Sequence, residues 1–234
     1  VVNKGIALDA GRSARQLHIK WEEYAMKTVG LMPKRPDISR AAFRDHYENR
    51  HAPLALPLFP FKKYVRNHVV ASDPDPVGFD CLSEFWVDDV EEVHRLMASS
   101  VGDTMREDER RFTHQEKIGP AVAEETLVAG PQRAVEPTAN KEILLLRRAD
   151  GVSKEEFAKA ATGWGRALAA GADGQLTRVS FDALTPFDAA RFPPCDGILY
   201  GWIEGSGGML YDAAPPDEIE IYGRIKTESI ETPL

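Results

Sequence analysis

The stretch Lys34-Arg-Pro-Asp-Ile-Ser-Arg-Ala-Ala-Phe-Arg-Asp-His-Tyr-Glu-Asn-Arg-His-Ala-Pro-Leu54 decides how the rest of the chain is read. Ser39 stands where a helix N-cap belongs, and Phe43, Tyr47 and His51 then recur every four residues, as one helix face requires. Ala52-Pro53 predicts a break, because the residue before a proline disfavours the helical region. Upstream, residues 26–32 (MKTVGLM) read as a short apolar strand stopped by Pro33 and Pro36. Downstream, residues 64–70 and 79–87 read as strands separated by the turn-forming Asp73-Pro-Asp-Pro-Val-Gly78. Asp88 caps a second helix with Val90, Val93, Leu96 and Met97 at helical spacing, and residues 124–128 close the unit as a fourth strand.

Strand, helix, strand, strand, helix, strand is the ferredoxin-like order. The opening stretch also recurs. Residues 34–43 align with residues 148–157 at an offset of 114, pairing Ser39 with Ser153 and Phe43 with Phe157. At an offset of 116, Asp80 pairs with Asp196 and Trp86 with Trp202; at 103, Glu125 pairs with Glu228. The shrinking offset means that the second copy has lost about 13 residues where the first has its second helix, a gap filled by Gly205-Ser-Gly-Gly208 and Pro215-Pro216. The expected fold class is therefore α+β, two ferredoxin-like βαββαβ units in tandem. They occupy residues 26–128 and 141–231, joined by a linker at 129–140, and the second lacks most of its second helix. Residues 1–25 read differently. Trp21-Glu22-Glu23 must be encoded by a purine-rich run resembling a bacterial ribosome-binding site shortly before Met26. That segment is either a translated leader or an N-terminal helix packing Trp21 and Tyr24 on the body.

Composition narrows the function classes. The 234 residues carry 29 Lys+Arg against 37 Asp+Glu, a net charge of -8, which argues against general nucleic-acid binding. A hydrophobic content of 43% is too high for a disordered chain, and no run approaches the ~20 apolar residues that span a bilayer. The expectation is a protein of the cytoplasm, with no membrane partner. Cys81 and Cys195 have no metal-site spacing, and the sequence has no Gly-rich phosphate loop, Gly-x-Ser-x-Gly elbow or HExxH. No metal and no cofactor are expected.

The repeat supplies an internal control. His46, Tyr47 and His51 correspond to Ala160, Ala161 and Gly165, and Tyr64, Arg66 and His68 to Arg178, Ser180 and Asp182. The apolar frame persists while the histidines occur in copy one only, so chemistry belongs to residues 26–128. At these positions the chain resembles the EthD-domain family: Lys34-Arg35-Pro36, Ser39, Phe43, Tyr47, His51-Ala-Pro-Leu54 and Tyr64-Val-Arg-Asn-His68 carry the likeness. The resemblance implies membership of the dimeric α+β barrel superfamily, with two sheets closing around an apolar cavity, here within one chain. It further implies a small aromatic, lactone or polyketide-like ligand, and leaves a homodimer compatible with the fold. Fold kinship does not choose a reaction.

Residue geometry adds to this. Tyr64, Arg66 and His68 alternate onto one strand face, and Val65, Asn67 and Val69 onto the other. The apolar face is expected against the helices, which puts the polar face in the barrel interior. There His51 and His68 would act as general acid/base, Tyr64 would donate to a carbonyl oxygen and Arg66 would hold negative charge, with Tyr47 beside them. Glu84 and Trp86 would complete the wall. Each has a structural alternative: His51 can donate to helix-terminal carbonyls, Tyr64 can be a sheet aromatic, and Trp86, repeated as Trp202, can be packing. His46 and His51, five apart on an α-helix, point about 140° from each other and form no pair. His46 and His94 read as solvated, His114 has no identifiable neighbour, and the carboxylates of residues 103–111 read as an exposed helix face. The functional expectation is a cofactor-independent lyase or isomerase working by proton transfer. The alternative is a non-catalytic small-molecule-binding or accessory protein of an oxidative degradation pathway.

Overall fold

The structure, a computed structural model, describes residues 26–132, 138–190, 192, 195–204 and 214–232. Eight strands pair antiparallel: β1 (Met26–Met32), β2 (Phe61–Asp73), β3 (Cys81–Val87), β4 (Gly119–Ala129), β5 (Thr138–Arg148), β6 (Leu176–Pro186), β7 (Gly197–Ile203) and β8 (Ile219–Thr232). They close a barrel in the order β1-β3-β2-β8-β5-β7-β6-β4. Within each half the fourth strand lies beside the first and the third beside the second, and the seams β2–β8 and β4–β6 join the halves. The expected leader or helix at residues 1–25 and most of the segment expected to lack a second helix lie outside the described residues. β4 and β5 run into the segment expected as linker, leaving only residues 130–137 between them.

Two helix starts follow the sequence, and a third is capped by Asp89, which accepts from the Glu91 N–H, rather than by Asp88. Ser39 accepts from the Ala42 N–H at the head of α1 (Arg40–His46), and Ser153 accepts from the Glu156 N–H at the head of α5 (Lys154–Gly171), where Glu156 completes a capping box. The break expected at Ala52-Pro53 does not occur. The chain widens instead into a π-turn, Tyr47–His51, and resumes as α2 (Ala52–Ala55). Proline lacks an N–H and its ring crowds the carbonyl four residues back, so one wide turn lets the helix run on past Pro53. After β3 come α3 (Val90–Met97) and α4 (Ser100–Phe112). Among the described residues no helix is long and apolar enough to cross a membrane.

The barrel lumen is filled. One end holds aliphatic and aromatic side chains such as Val29, Leu31, Leu82, Ile143, Leu145 and Ile198. The rest holds a buried charge network: Lys27 Nζ lies 2.7 Å from both Glu84 and Asp182, and Lys141 Nζ lies 3.0 Å from Glu84 and 2.8 Å from Asn67 Oδ1. Burial alone would depress the Lys27 pKa, but Asp182, Glu125 and Glu84 raise it, while for Lys141 burial wins and the pKa falls. Each ammonium also sits over an indole, Lys27 at 4.7 Å from the Trp86 centroid and Lys141 at 4.6 Å from that of Trp202.

Outside the barrel the two halves differ. In the second, α5 presses Phe157, Ala161, Trp164 and Leu168 onto the sheet with no gap, and at Gly165 an added Cβ would meet Leu199 Cδ1 at 3.0 Å. In the first, the helices stand off the sheet.

Candidate functional site

Between the outer face of β1, β3 and β2 and the helices of the first half lies a cavity of about 640 Å³. Its floor is Thr28, Gly30, Tyr64 and Phe85, its far walls include Val90, Val93, Met97 and Met105, and its lining is chiefly apolar. Gly30 keeps the floor open: a Cβ there would meet only Met32 Sδ and Phe85 Cε2, each at 3.6 Å. Phe187, just beyond β6, reaches across from the second half, its ring 5.3 Å from that of His94 at the cavity wall.

Two histidines, His51 and His94, line this space. His51 lines the cavity and its Nδ1–H donates to Asp108 Oδ2 at 2.9 Å, so Nε2 is the ring nitrogen left for a proton. His46 Nε2–H donates to Asp108 Oδ1, also at 2.9 Å. The π-turn makes this convergence possible. With the Ala52 N–H bonded back to the Tyr47 carbonyl, five residues make little more than one turn, and His46 and His51 reach one carboxylate. The expectation that they point apart, and that His46 is solvated, is thereby corrected. Asp108 is buried rather than part of an exposed face, because α4 packs on the π-turn and Phe112 stacks on His46 at 4.6 Å and tilts against His51 at 5.0 Å. Burial would raise the Asp108 pKa, yet the bonds from His51 and His46 hold it below the usual carboxylate range. An ionised carboxylate that accepts from Nδ1 fixes the tautomer in which Nε2 carries a lone pair, the form that takes a proton.

The tyrosines form a sealed bed beneath the histidine. The Tyr64 hydroxyl donates to the Tyr47 oxygen at 3.2 Å, and the Tyr47 and Ser83 oxygens are 2.7 Å apart. Both rings line the cavity and both are fully buried; burial raises their pKa values and keeps them neutral.

Arg66 and His68 lie on the same outward face, beyond the cavity wall. Glu48 holds both: Arg66 Nη2–H donates to Oε2 at 2.7 Å and His68 Nε2–H to Oε1 at 2.6 Å, while Arg66 also reaches Thr232. Burial would depress the His68 pKa, but Cys81 and Glu48 push it up to about 9; burial would raise that of Glu48, but His68 and Arg66 bring it down to about 2. Glu84 and Trp86 point the other way, into the lumen. The expected orientation of the sheet is thus reversed. Tyr64, Arg66 and His68 face the helices, where Tyr47 accepts from the Tyr64 hydroxyl and Glu48 accepts from Arg66 and from His68 Nε2, and Val65, Asn67 and Val69 face the lumen, where Lys141 and Ser229 satisfy Asn67. The cavity lies outside the barrel, not within it. Of the seven residues expected at the site it gathers Tyr47, His51 and Tyr64 and leaves out Arg66, His68, Glu84 and Trp86. Sequence reading missed Asp108, Glu48 and Glu109. Four-residue spacing along α4 puts Asp108 in line with Phe112, the one available signal that this acid faces inward.

The fold has solved counterparts. An anthrone oxidase-like protein superposes with a TM-score of 0.63 at 11% identity, over 91% of this chain and 94% of that one. A chlorite dismutase variant from Candidatus Nitrospira defluvii superposes with a TM-score of 0.50 at 8% identity, over 89% and 92%. Both likenesses concern the eight-stranded antiparallel barrel with helices outside it, the architecture of the dimeric α+β barrel proteins. An EthD family protein from Bacillus halodurans matches at 25% identity over 43% of this chain and 99% of its own, with a TM-score of 0.35. No curated protein sequence matches the chain. Residues 35–116 match the EthD domain, a segment that runs from α1 to the end of α4 and contains Tyr47, His51, Tyr64 and Asp108. The likeness to the EthD domain thus falls on the first half of the eight-stranded barrel.

Proposed function

We propose that the cavity is the active site of a cofactor-independent enzyme that moves a proton on a small apolar or aromatic compound, as a lyase or isomerase does. The observation that carries this reading is the His51–Asp108 pair, which sets a carboxylate-held imidazole in the wall of a chiefly apolar cavity of about 640 Å³. A positioned imidazole contributes about 10²–10⁴ to a proton-transfer rate. Apolar walls select a flat or bicyclic skeleton by burying it, at roughly 25 cal/mol per Å². The test uses 2-tetralone, a bicyclic ketone with acidic α-protons, in D₂O. The wild-type chain exchanges those protons for deuterium faster than buffer does, and His51→Gln loses about 10²-fold or more of that rate while still binding. One observation favours a binding role instead: the tyrosine hydroxyls are spent on each other and on Ser83 rather than offered to a ligand. Binding of 2-tetralone with no exchange above buffer decides for that alternative.

We also propose that the two halves are a tandem duplication whose second copy has lost its site. Asp80 and Asp196 support it by doing the same work, accepting at 2.9 Å from the backbone N–H groups of Lys34 and Arg148 respectively. Lys27 and Lys141, each paired with an indole in the lumen, repeat at the same offset as Lys34 and Arg148. His51 is replaced by Gly165, and the space its counterpart would occupy is packed.

A further inference from the structure

Resting on the proton-transfer reading, we infer that Glu109 is a second proton-transfer group of the cavity, returning a proton at a distant carbon, so that the substrates are β,γ-unsaturated cyclic ketones converted to their conjugated isomers. Asp108 and Glu109 are consecutive on α4, about 100° apart around the helix. The first turns behind His51, and the second enters the cavity lining with His51. The Glu109 carboxyl is held in place, since Gln115 Nε2–H donates to its Oε2 at 3.2 Å and to the Arg106 carbonyl at 2.6 Å.

The charges around it leave it free to carry a proton. Arg106, the arginine of the same helix that lines the cavity and faces Glu109, directs its guanidinium to the Met97 carbonyl at 2.8 Å and to Asp103 at 2.7 Å. His51 faces it from the π-turn, Asp108 adjoins it, and Glu116 lines the same cavity. Burial pushes the Glu109 carboxyl up from its usual range, the direction a donor of protons needs, while the neighbouring Asp108 is held down. Two carboxylates with separated proton affinities flanking one imidazole divide acid from base.

The step balances without a co-reactant. His51 Nε2 takes the proton from the α-carbon, and the C–H electron pair enters the carbonyl system as a dienolate. The Glu109 O–H delivers its proton to the γ-carbon as the double bond moves into conjugation. The imidazolium proton then passes to the Glu109 carboxylate through water or directly, which restores both groups.

The probe is 3-cyclohexen-1-one in D₂O, followed by NMR for two events in one sample, deuterium at the α-carbon and appearance of the conjugated ketone. The wild-type chain should accelerate both. Glu109→Gln, which keeps size and the Gln115 contact, should lower conjugation about 10²-fold more than it lowers α-exchange, whereas His51→Gln should lower both. Glu109→Asp, a shorter acid, should shift the ratio of the two events in the same direction to a smaller degree and serves if the glutamine variant does not fold. Conjugation unchanged in Glu109→Gln, both events lowered equally, or a wild-type chain that exchanges without conjugating would each overturn the assignment. Those results leave the proton-transfer reading standing, which fails separately if 2-tetralone does not exchange.

Discussion

Replacing Asp108 with Asn tests the site where fold and chemistry meet. Asp108 accepts two imidazole N–H groups, one on each oxygen and both at 2.9 Å. Hydrogen bonds to a charged acceptor contribute about 1.5–3 kcal/mol each. Asparagine keeps one acceptor oxygen but turns an NH₂ toward the other ring, so one such bond is lost, about 1.5–3 kcal/mol. Chains of about 150–250 residues lose about 2–4 °C per kcal/mol, giving a fall in Tm of about 3–12 °C. The catalytic loss should be larger in proportion. Freed from its carboxylate, His51 can adopt the tautomer with its proton on Nε2, and the exchange rate of 2-tetralone should fall about 10²–10⁴-fold. His46→Gln is the control, since it leaves the His51–Asp108 bond and should cost stability with little loss of rate. Asp108 also makes an acid limb. Its folded pKa lies below the unfolded value, so its contribution is present above about pH 4 and lost as pH falls further. Melting by calorimetry and exchange by NMR read both effects. An Asp108→Asn protein that exchanges at the wild-type rate would refute the reasoning, whatever its Tm.

Other outcomes follow from the same geometry. Gly30→Leu should leave the chain folded but abolish thermal stabilisation by 2-tetralone, because the added side chain has open space to fill only in the cavity; retained stabilisation would show that the ligand sits elsewhere. The Glu48–His68 pair predicts a plateau of Tm between about pH 4.5 and 6.5. Stability falls as acid protonates Glu48 toward about 2, and falls again as base removes the His68 proton through about 9; Glu48→Gln should move the alkaline fall to lower pH, and an unchanged limb would contradict the pairing. Lys27→Ala should cost about 3–5 kcal/mol in urea unfolding, the usual result of stranding a buried carboxylate, here Asp182. A loss under 1 kcal/mol would mean that water reaches the lumen.

How far the sequence could be read depends on the range of the interactions. Helix caps and strand order are local: Ser39 and Ser153 announce their helices, and the matching Asp80 and Asp196 announce the repeated unit. Tyr47 and His51 share a wall of the cavity because a four-residue spacing is enough to put them on one face, and Tyr64 meets them from the β2 face expected to line the lumen. The facing of β2 was not legible. Both of its faces are partly polar, and the groups that satisfy them, Glu48 on one side and Lys141 on the other, lie 18 and 74 residues away from the Arg66 and Asn67 they meet. The partnership of His46 with His51 was hidden for another reason. A regular helical wheel has no place for a π-turn, and only the proline at position 53 hints at one.

Closure of the barrel within one chain bears on how this protein responds to dilution. Both seams, β2 with β8 and β4 with β6, join strands of the same molecule, so among the described residues every strand has two neighbours and none offers a free edge. A barrel assembled from two separate chains comes apart as concentration falls, and its melting point falls with it. Here the opposing half is tethered at a fixed effective concentration. The sheet behind the cavity should therefore keep its shape from micromolar to nanomolar protein, and a Tm independent of concentration is the signature of that tether.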